Sequence, residues 1–434
     1  MTDKSVFTPR ILRPEDANQN WQWDRALASP GFKQVDFETR VDFQRLRKYR
    51  LSRAKNALKN SGLGALILFD VNNIRYITGT KIGEWERDKL CRFALLAGDE
   101  EPFVWDFGSA AVHHQLNCDW LDPNRCLAGM TGMRGTVPPS VGLMKSHAEE
   151  IMSYIKQAGV ADMPIGLDIA ETAMFFELQN AGMNIVDGQQ VMLDAREIKN
   201  IDEITLLNQA ATMVDGVYHM IYEELKPGVR ENDIVALSNQ MLYEMGSDDV
   251  EAINAISGER CSPHPHNFTD RMFRPGDQAF FDILQSYQGY RTCYYRTFNV
   301  GTATSEQNDA YIQCREWLDK AIELIKPGVS TDTVAKAWPK AEEFGFDSEM
   351  QAFGLQFGHG LGLALHERPI ISRLVSLENP MEIKTGMVFA LETYCPAKDG
   401  VSAARIEEEV VVTDKGCKVI SLFPAEDLPI ANRY

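Results

Sequence analysis

The pentapeptide Leu225-Lys226-Pro227-Gly228-Val229 returns one hundred residues later as Ile325-Lys326-Pro327-Gly328-Val329. Each copy follows a helical pattern. Each is followed by a short polar stretch and a second helical start, Asp233-Ile234-Val235 in one and Asp332-Thr333-Val334 in the other. A five-residue match alone says little, but a match in shared context calls for two α/β halves related by duplication. A duplicated fold tends to put its site at the interface between its halves.

A chain of 434 residues has room for two or three domains. Residues 1–41 read as an irregular N-terminal extension, broken by Pro9, Pro14 and Pro30. Residues 42–195 alternate helix and strand patterns. An amphipathic helix (Phe43, Leu46, Tyr49, Leu51, Ala54, Leu58) ends near Gly62 and Gly64. It is followed by apolar runs at 65–69, 93–96 and 102–105, a helix at about 146–158 and a strand at 165–168. From Asp194 to Leu225 the apolar positions keep one helical period, which predicts a single long helix opening the second domain, residues 196–434. Apolar runs are too short for a membrane span, and Met1-Thr2-Asp3-Lys4 does not begin a secretion signal. Lys plus Arg number 44 against 62 Asp plus Glu, a net charge of −18, which repels nucleic acid and favours a cationic or zwitterionic small molecule. Eight cysteines without a CxxC pair read as reduced thiols of a cytoplasmic protein.

The chemistry concentrates in four segments of the second domain. These are Ser262-Pro263-His264-Pro265-His266; Asp282 inside an apolar strand, with Cys293 on the returning strand; Gly358-His359-Gly360 followed by His366-Glu367; and Glu392 with Glu407. Taken singly, each has an ordinary structural explanation. A strand Asp caps a turn, an isolated Cys fills a core, and the charged stretch from Arg405 onward is a solvated edge to which Glu408 and Glu409 belong. Taken together, carboxylates, a His and small residues at strand ends are what a divalent metal requires.

In the order Asp282, position 293, His359, Glu392, Glu407, the chain resembles the peptidase M24 family of prolidases, methionine aminopeptidases and creatinases. Gly276-Asp277, Gly289-Tyr290, Arg296-Thr297-Phe298 and Arg405-Ile406-Glu407 stand where that family's motifs do. The resemblance implies an α/β (α+β) architecture. A creatinase-like N-terminal domain would precede a "pita-bread" catalytic domain of two pseudo-symmetric halves, in a homodimer. Asn73-Ile74-Arg75-Tyr76 and Trp105-Asp106 look like the dimethylsulfoniopropionate lyases of its two-domain branch.

The departures matter too. Metal-dependent members carry an Asp where this chain has Cys293, and the lyases' extra Asp is absent, since Ile283 and Leu284 follow Asp282. A thiolate suits zinc, iron or cobalt but does not reproduce a bridging carboxylate. The resemblance therefore implies one or two divalent ions (zinc, iron, manganese or cobalt) on Asp282, Cys293, His359, Glu392 and Glu407, or a metal-free site. In a metal-free site the repelling carboxylates would hold a guanidinium, sulfonium or quaternary ammonium group, with Tyr294, Tyr295 or Trp85 adding cation–π contacts. By the same resemblance, His366 stabilises charge on oxygen, and either His264 or His266 transfers the proton. The expected activity is hydrolysis of a C–N bond of the amide or Xaa-Pro type in a small polar substrate. The competing readings are C–S elimination on a sulfonium and a non-catalytic binding module. His113, His114, His147 and His219 carry no motif and are expected to be structural.

Overall fold

The computed structural model describes residues 41–82, 91–129, 132–263 and 265–433. The expected extension over 1–41 therefore lies, but for Val41, outside the described residues, as do His264 and Trp85.

Helix α1 (Phe43–Ser61) starts where the Asp42 side chain accepts from Arg45 N at 2.9 Å and stops at Gly62, whose φ of +76° suits glycine. It covers one face of a six-stranded mixed sheet in the order β4-β3-β2-β1-β5-β6. The strands are β1 (Ala65–Leu68), β2 (Phe93–Ala97), β3 (Phe103–Asp106), β4 (Cys126–Ala128), β5 (Ile165–Leu167) and β6 (Ile185–Asp187). Alternation decides which side chain goes where. Leu66 and Leu68 pack toward Leu46, Ala54 and Leu58 of α1. Ala65 and Ile67 pack with Ile151, Ile155, Met174 and Leu178 from helices 143–157 and 172–180 on the opposite face. Both faces are covered, so β1 reads as an unbroken apolar run.

The long helix expected from Asp194 is two helices, α2 (Gln189–Arg196) and α3 (Ile201–Glu224). Asn200 breaks it. Its side chain accepts from Glu203 N at 3.0 Å while Glu203 accepts from Asn200 N at 2.9 Å, a reciprocal cap of about 1 kcal/mol that fixes a new helix start. The break frees Arg196 and Lys199 to point at the second domain.

The repeated pentapeptide folds the same way twice. Gly228 (φ +91°) and Gly328 (φ +85°) are left-handed; their N–H groups donate to Phe273 O at 3.0 Å and Ile383 O at 2.9 Å. Phe273 N and Ile383 N return bonds of 2.8 Å to Val229 O and Val329 O. The copies diverge next: helix α4 (Glu231–Glu244) is full length, whereas α6 (Thr331–Ala335), beyond α5 (Ser305–Leu324), is little more than a turn. Pro339 disfavours helical backbone at Trp338 and ends it. Two antiparallel-rich sheets follow. The first, ordered β15-β9-β8-β7, contains β7 (Asp249–Ser257), β8 (Gln278–Tyr287), β9 (Tyr290–Val300) and β15 (Ile430–Ala431). The second, ordered β11-β10-β12-β13-β14, contains β10 (Phe357–Gly360), β11 (Glu367–Ile371), β12 (Val388–Pro396), β13 (Ala403–Val412) and β14 (Cys417–Val419). They meet along β9 and β13 through side-chain bonds: Thr297 Oγ1 donates to Arg405 O at 2.6 Å and accepts from Arg405 N at 2.9 Å.

Candidate metal centre

Register puts the site side chains on facing sheet surfaces. On the first sheet Asp282 pairs with Tyr295 and Leu284 with Cys293, so Asp282, Cys293 and Tyr295 share a face. On the second, Glu392 pairs with Glu407 and with Phe357, and Ala390 with His359 and Glu409, so His359, Glu392, Glu407 and Glu409 share one. The opposite face of that sheet carries Leu391, Ile406 and Val410 into the core beneath α5.

Cys293, His359 and Glu407 converge: one ligand atom from each lies within 4.8 Å of the others. Asp282 and Glu392 flank them. Asp282 Oδ1 accepts from the Cys293 thiol at 3.6 Å, and Glu392 Oε1 lies 3.9 Å from His359 Nε2. All five expected ligands are thus together, three at the centre and two at its sides. His359 is fully buried. Its Nδ1 lies 3.0 Å from the Gly360 carbonyl, which can only accept, so Nδ1 carries the proton and Nε2 presents a lone pair. Burial holds its pKa down to about 4, keeping the ring neutral. His359 Nε2 and Glu407 Oε1, 4.0 Å apart, are both buried without a hydrogen-bond partner.

Electrostatics asks for a cation. Burial, then Glu392 and Asp282, push the Glu407 carboxyl well above the usual range. Burial and Glu392 push Asp282 up to about 6 against hydrogen bonds from Asn254 and Tyr295. Burial and the same carboxylates raise the Cys293 thiol well above its ordinary value. Two orphaned acceptors facing each other, a thiol and stressed carboxylates fit one borderline divalent ion, which ionises its thiol and carboxylate ligands on binding.

The loop after His359 is shaped by glycine and one acid. A Cβ at Gly360 would stand 2.2 Å from Arg368 O, and one at Gly362 would stand 2.5 Å from the Glu367 carboxylate. Glu367 is buried, accepts from Ala364 N at 3.1 Å, and pairs with Lys199 at 2.9 Å and Arg196 at 3.3 Å. Burial pushes its pKa up, but the two cations outweigh it and hold it below the usual range. Glu367 thereby fixes His366, an exposed residue whose ring centroid lies 4.4 Å from that of His359 at an interplanar angle of 51°. His266 is exposed; burial on its inner side and the charge of Arg405 lower its pKa, against Glu392.

Two expectations are corrected. Glu408 and Glu409 are not a solvated edge: they are 4% and 0% exposed. Glu408 faces α5 and pairs with Arg296 and Arg315, each at 2.8 Å. Glu409 turns toward the first sheet and accepts from Thr292 Oγ1 at 2.8 Å and Cys293 N at 2.7 Å; burial pushes it up to about 8. The aromatic rings expected to receive a cationic substrate already carry arginines of this chain. Arg296 lies 4.6 Å over Tyr294 and Arg405 lies 4.4 Å over Tyr295. Arg405 also pairs with Glu392. Among the unassigned histidines, His114 is held 3.0 Å from Asp106 and His147 2.8 Å from Leu143 O, while His219 lies beside Glu223 at 3.4 Å.

The motif pattern missed Glu409, Asn254 and the Arg196–Lys199 pair. Asn254 donates to Asp282 Oδ2 at 2.9 Å. For Glu409 the signal was present, since Arg405, Glu407 and Glu409 alternate on one strand face.

Comparison with known proteins covers the same part of the chain. The family described as "Metallopeptidase family M24" matches residues 205–414, and "Creatinase/Prolidase N-terminal domain" matches residues 50–198. A protein of Mycobacterium tuberculosis named "Probable dipeptidase PepE" is 27% identical over 389 residues, covering 87% of this chain and 95% of its own. "Dimethylsulfoniopropionate lyase DddP" of Roseovarius nubinhibens is 24% identical over 396 residues, covering 88% and 87%. The solved structure of a Bacillus anthracis Xaa-Pro dipeptidase superposes with a TM-score of 0.70 at 19% identity, covering 88% of this chain and 99% of that one, a likeness of fold.

Proposed function

The chain belongs to metallopeptidase family M24, in its creatinase/prolidase-type branch, and on that premise we propose that it hydrolyses the amide bond of a small dipeptide of the Xaa-Pro type at a site built for one divalent ion. The observation that carries the metal is the pair of orphaned buried acceptors, His359 Nε2 and Glu407 Oε1, facing each other at 4.0 Å beside the Cys293 thiol. The dipeptidase relative supports the substrate class.

Cys293, His359 and Glu407 would hold the ion, with Glu392 and Asp282 at its sides. The sulfur, nitrogen and oxygen donor set suits zinc, iron or cobalt better than manganese. Such an ion, when bound, polarises a carbonyl and makes water nucleophilic at neutral pH. The protein's own groups do the rest. Gly360 O fixes the His359 tautomer, as an outer partner of a ligating histidine does. Arg405 occupies one Glu392 oxygen and leaves Oε1 toward His359. His366, pinned through Glu367, donates to the oxygen on which charge develops. His266 at the rim transfers the proton to the leaving nitrogen; His264, the alternative from the sequence, lies outside the described residues.

We further assign the protein to a homodimer, as the family resemblance implies, and to the cytoplasm. The eight free cysteines support a reducing compartment, and among the described residues no helix is long and apolar enough to cross a membrane.

The test is hydrolysis of Leu-Pro by protein stripped with chelator and then given one equivalent of zinc, cobalt or manganese. Activity that returns with the ion is expected. Full activity in chelator would reject the metal. Inertness toward every dipeptide, together with dimethyl sulfide release from dimethylsulfoniopropionate, would replace hydrolysis by elimination; inertness toward all of these would leave a binding module.

A further inference from the structure

Two residues after each copy of the repeated pentapeptide stand Glu231 and Thr331. Their backbones behave alike: Glu231 N donates to Arg271 O at 3.0 Å and Thr331 N to Met381 O at 2.9 Å. Their side chains do not. Thr331 Oγ1 accepts from Met381 N at 3.0 Å and stays at its own turn. Glu231, the first residue of α4, is fully buried, and its carboxylate gathers four donors. Ser257 Oγ donates to Oε1 at 2.6 Å, Thr269 N and Thr269 Oγ1 each donate to Oε2 at 2.8 Å, and Arg260 pairs with the same oxygen. These donors bracket one loop. Ser257 ends β7, Arg260 lies in the turn Gly258–Arg260, and Thr269 stands three residues beyond His266. Arg260 also donates to Asn267 Oδ1, and Ala255 N donates to Asn267 O at 3.1 Å, so the residue next to His266 is held twice. On the site side the Tyr394 hydroxyl, two residues along β12 from Glu392, donates to Ser262 Oγ at 3.0 Å. The charges of Arg405 and Glu392 reach His266.

We infer that Glu231 is a positioning residue for proton transfer: by clasping Ser257, Arg260 and Thr269 it holds the loop that presents His266 to the leaving nitrogen. The inference rests on the amide-hydrolase reading above and deepens it, by naming what sets the place of its proton donor. The loop needs such an anchor. His266 is exposed, and the described residues from 261 to 271 contain no helix or strand to fix it. A proton donor works within about 3 Å of the atom it serves, and a misplacement of about 1 Å can cost on the order of 100-fold. A carboxylate suits the task because it accepts at both oxygens, and its bond to Arg260 is charge-assisted. The anchor is remote from the reacting atoms, so Glu231 acts through the loop and touches no substrate. A glutamine could keep part of the clasp. Its amide oxygen would serve Thr269 and Arg260, and its NH2 would donate to Ser257 Oγ, since a hydroxyl also accepts. An alanine would release both ends of the loop at once.

The experiment is a double-mutant cycle in Leu-Pro hydrolysis, run on ion-loaded wild type, E231A, H266A and E231A/H266A, with E231Q and E231Q/H266A beside them. E231A is expected to lower kcat on the order of 100-fold, and E231Q on the order of 10-fold, with KM and bound metal unchanged. In the H266A background neither substitution at Glu231 is expected to cost anything further, because the group being positioned is gone. Thermal melting of each variant reports folding, and if E231A melts early the E231Q cycle decides. Losses that multiply across the cycle, or a wild-type kcat in both Glu231 variants, would overturn the positioning role. A wild-type kcat in H266A would remove the donor and overturn the inference while leaving amide hydrolysis standing. A wild type that cleaves no dipeptide would overturn the hydrolase reading and the inference with it.

Discussion

Asp282 and Glu392 stand six residues after Gly276 and Gly386, two left-handed glycines at corresponding turns of the two halves, and across the ladder from them the halves part company. Asp282 faces Tyr295, whose ring already bears the Arg405 guanidinium; Glu392 faces Glu407. One step further along the same faces, the first half has Cys293 opposite Leu284 where the second has Arg405 opposite Tyr394. The same scaffold therefore supplies neutral donors on one wall (Asn254, Tyr295 and a thiol, all turned to Asp282) and three buried carboxylates on the other. A duplicated fold does not need duplicated chemistry. Asp282 has neutral donors where His359 Nε2 and Glu407 Oε1 have none, so the groups most in need of a cation are those around His359 and Glu407, and one cation would answer them. A carboxylate at position 293 would add a charge that asks for a second.

The comparison can be broken most severely at the charged wall. H359A and E407A should each lower turnover on the order of 1000-fold or more, with the circular dichroism spectrum of the wild type retained. Near-full activity in either would mean that the second half does not hold the chemistry. A smaller effect is expected at the clasp that joins that wall to the helix break. E367Q removes the buried charge that Arg196 and Lys199 share, which leaves two cations uncompensated at a cost of about 3 kcal/mol. Its melting temperature should drop and kcat should fall as His366 loosens; an unchanged melting curve would show the clasp to be idle. The smallest effect belongs to the turn of the first half. There Arg271 joins Glu259 at 2.7 Å and Asp277 at 2.6 Å, a clasp with no counterpart at Lys384–Met387. The Arg271 hydrogen bond holds Glu259 down to about 2 from 4.5. A depressed carboxyl contributes its stability above the unfolded value and loses it as pH falls through the folded one, so E259Q should differ from wild type above pH 4.5 and converge toward pH 2. Discounted for solvent screening, the difference should be about 0.5 kcal/mol in urea titrations. A gap that widens on acidification would contradict the assignment.

Much of this was legible in the sequence because it is local or periodic. The repeat located the two halves, and the family resemblance in residue order picked out Asp282, Cys293, His359, Glu392 and Glu407, which the fold brings together. The run Arg405–Glu409 was half misread: charge density suggests solvent, whereas alternation sends Glu407 and Glu409 to one face and Glu408 to the other, and long-range partners such as Arg296 and Arg315 bury them all. The break at Asn200 was also written locally, as Asn-x-x-Glu, but an uninterrupted apolar period masked it. What no pattern announces is contact at a distance. Glu367 meets Lys199 from 168 residues away, and Arg291 meets Asn72 from 219.

The most direct test of the one-ion site is the metal content per chain of wild type and C293D, purified without a histidine tag and measured by plasma mass spectrometry after loading with zinc or cobalt. About one equivalent in the wild type and about two in C293D are predicted, since the thiol gives its ligand atom to one ion with His359 and Glu407, whereas a carboxylate at position 293 would add a charge that asks for a second. Two equivalents in the wild type, or none in either protein, would contradict the account.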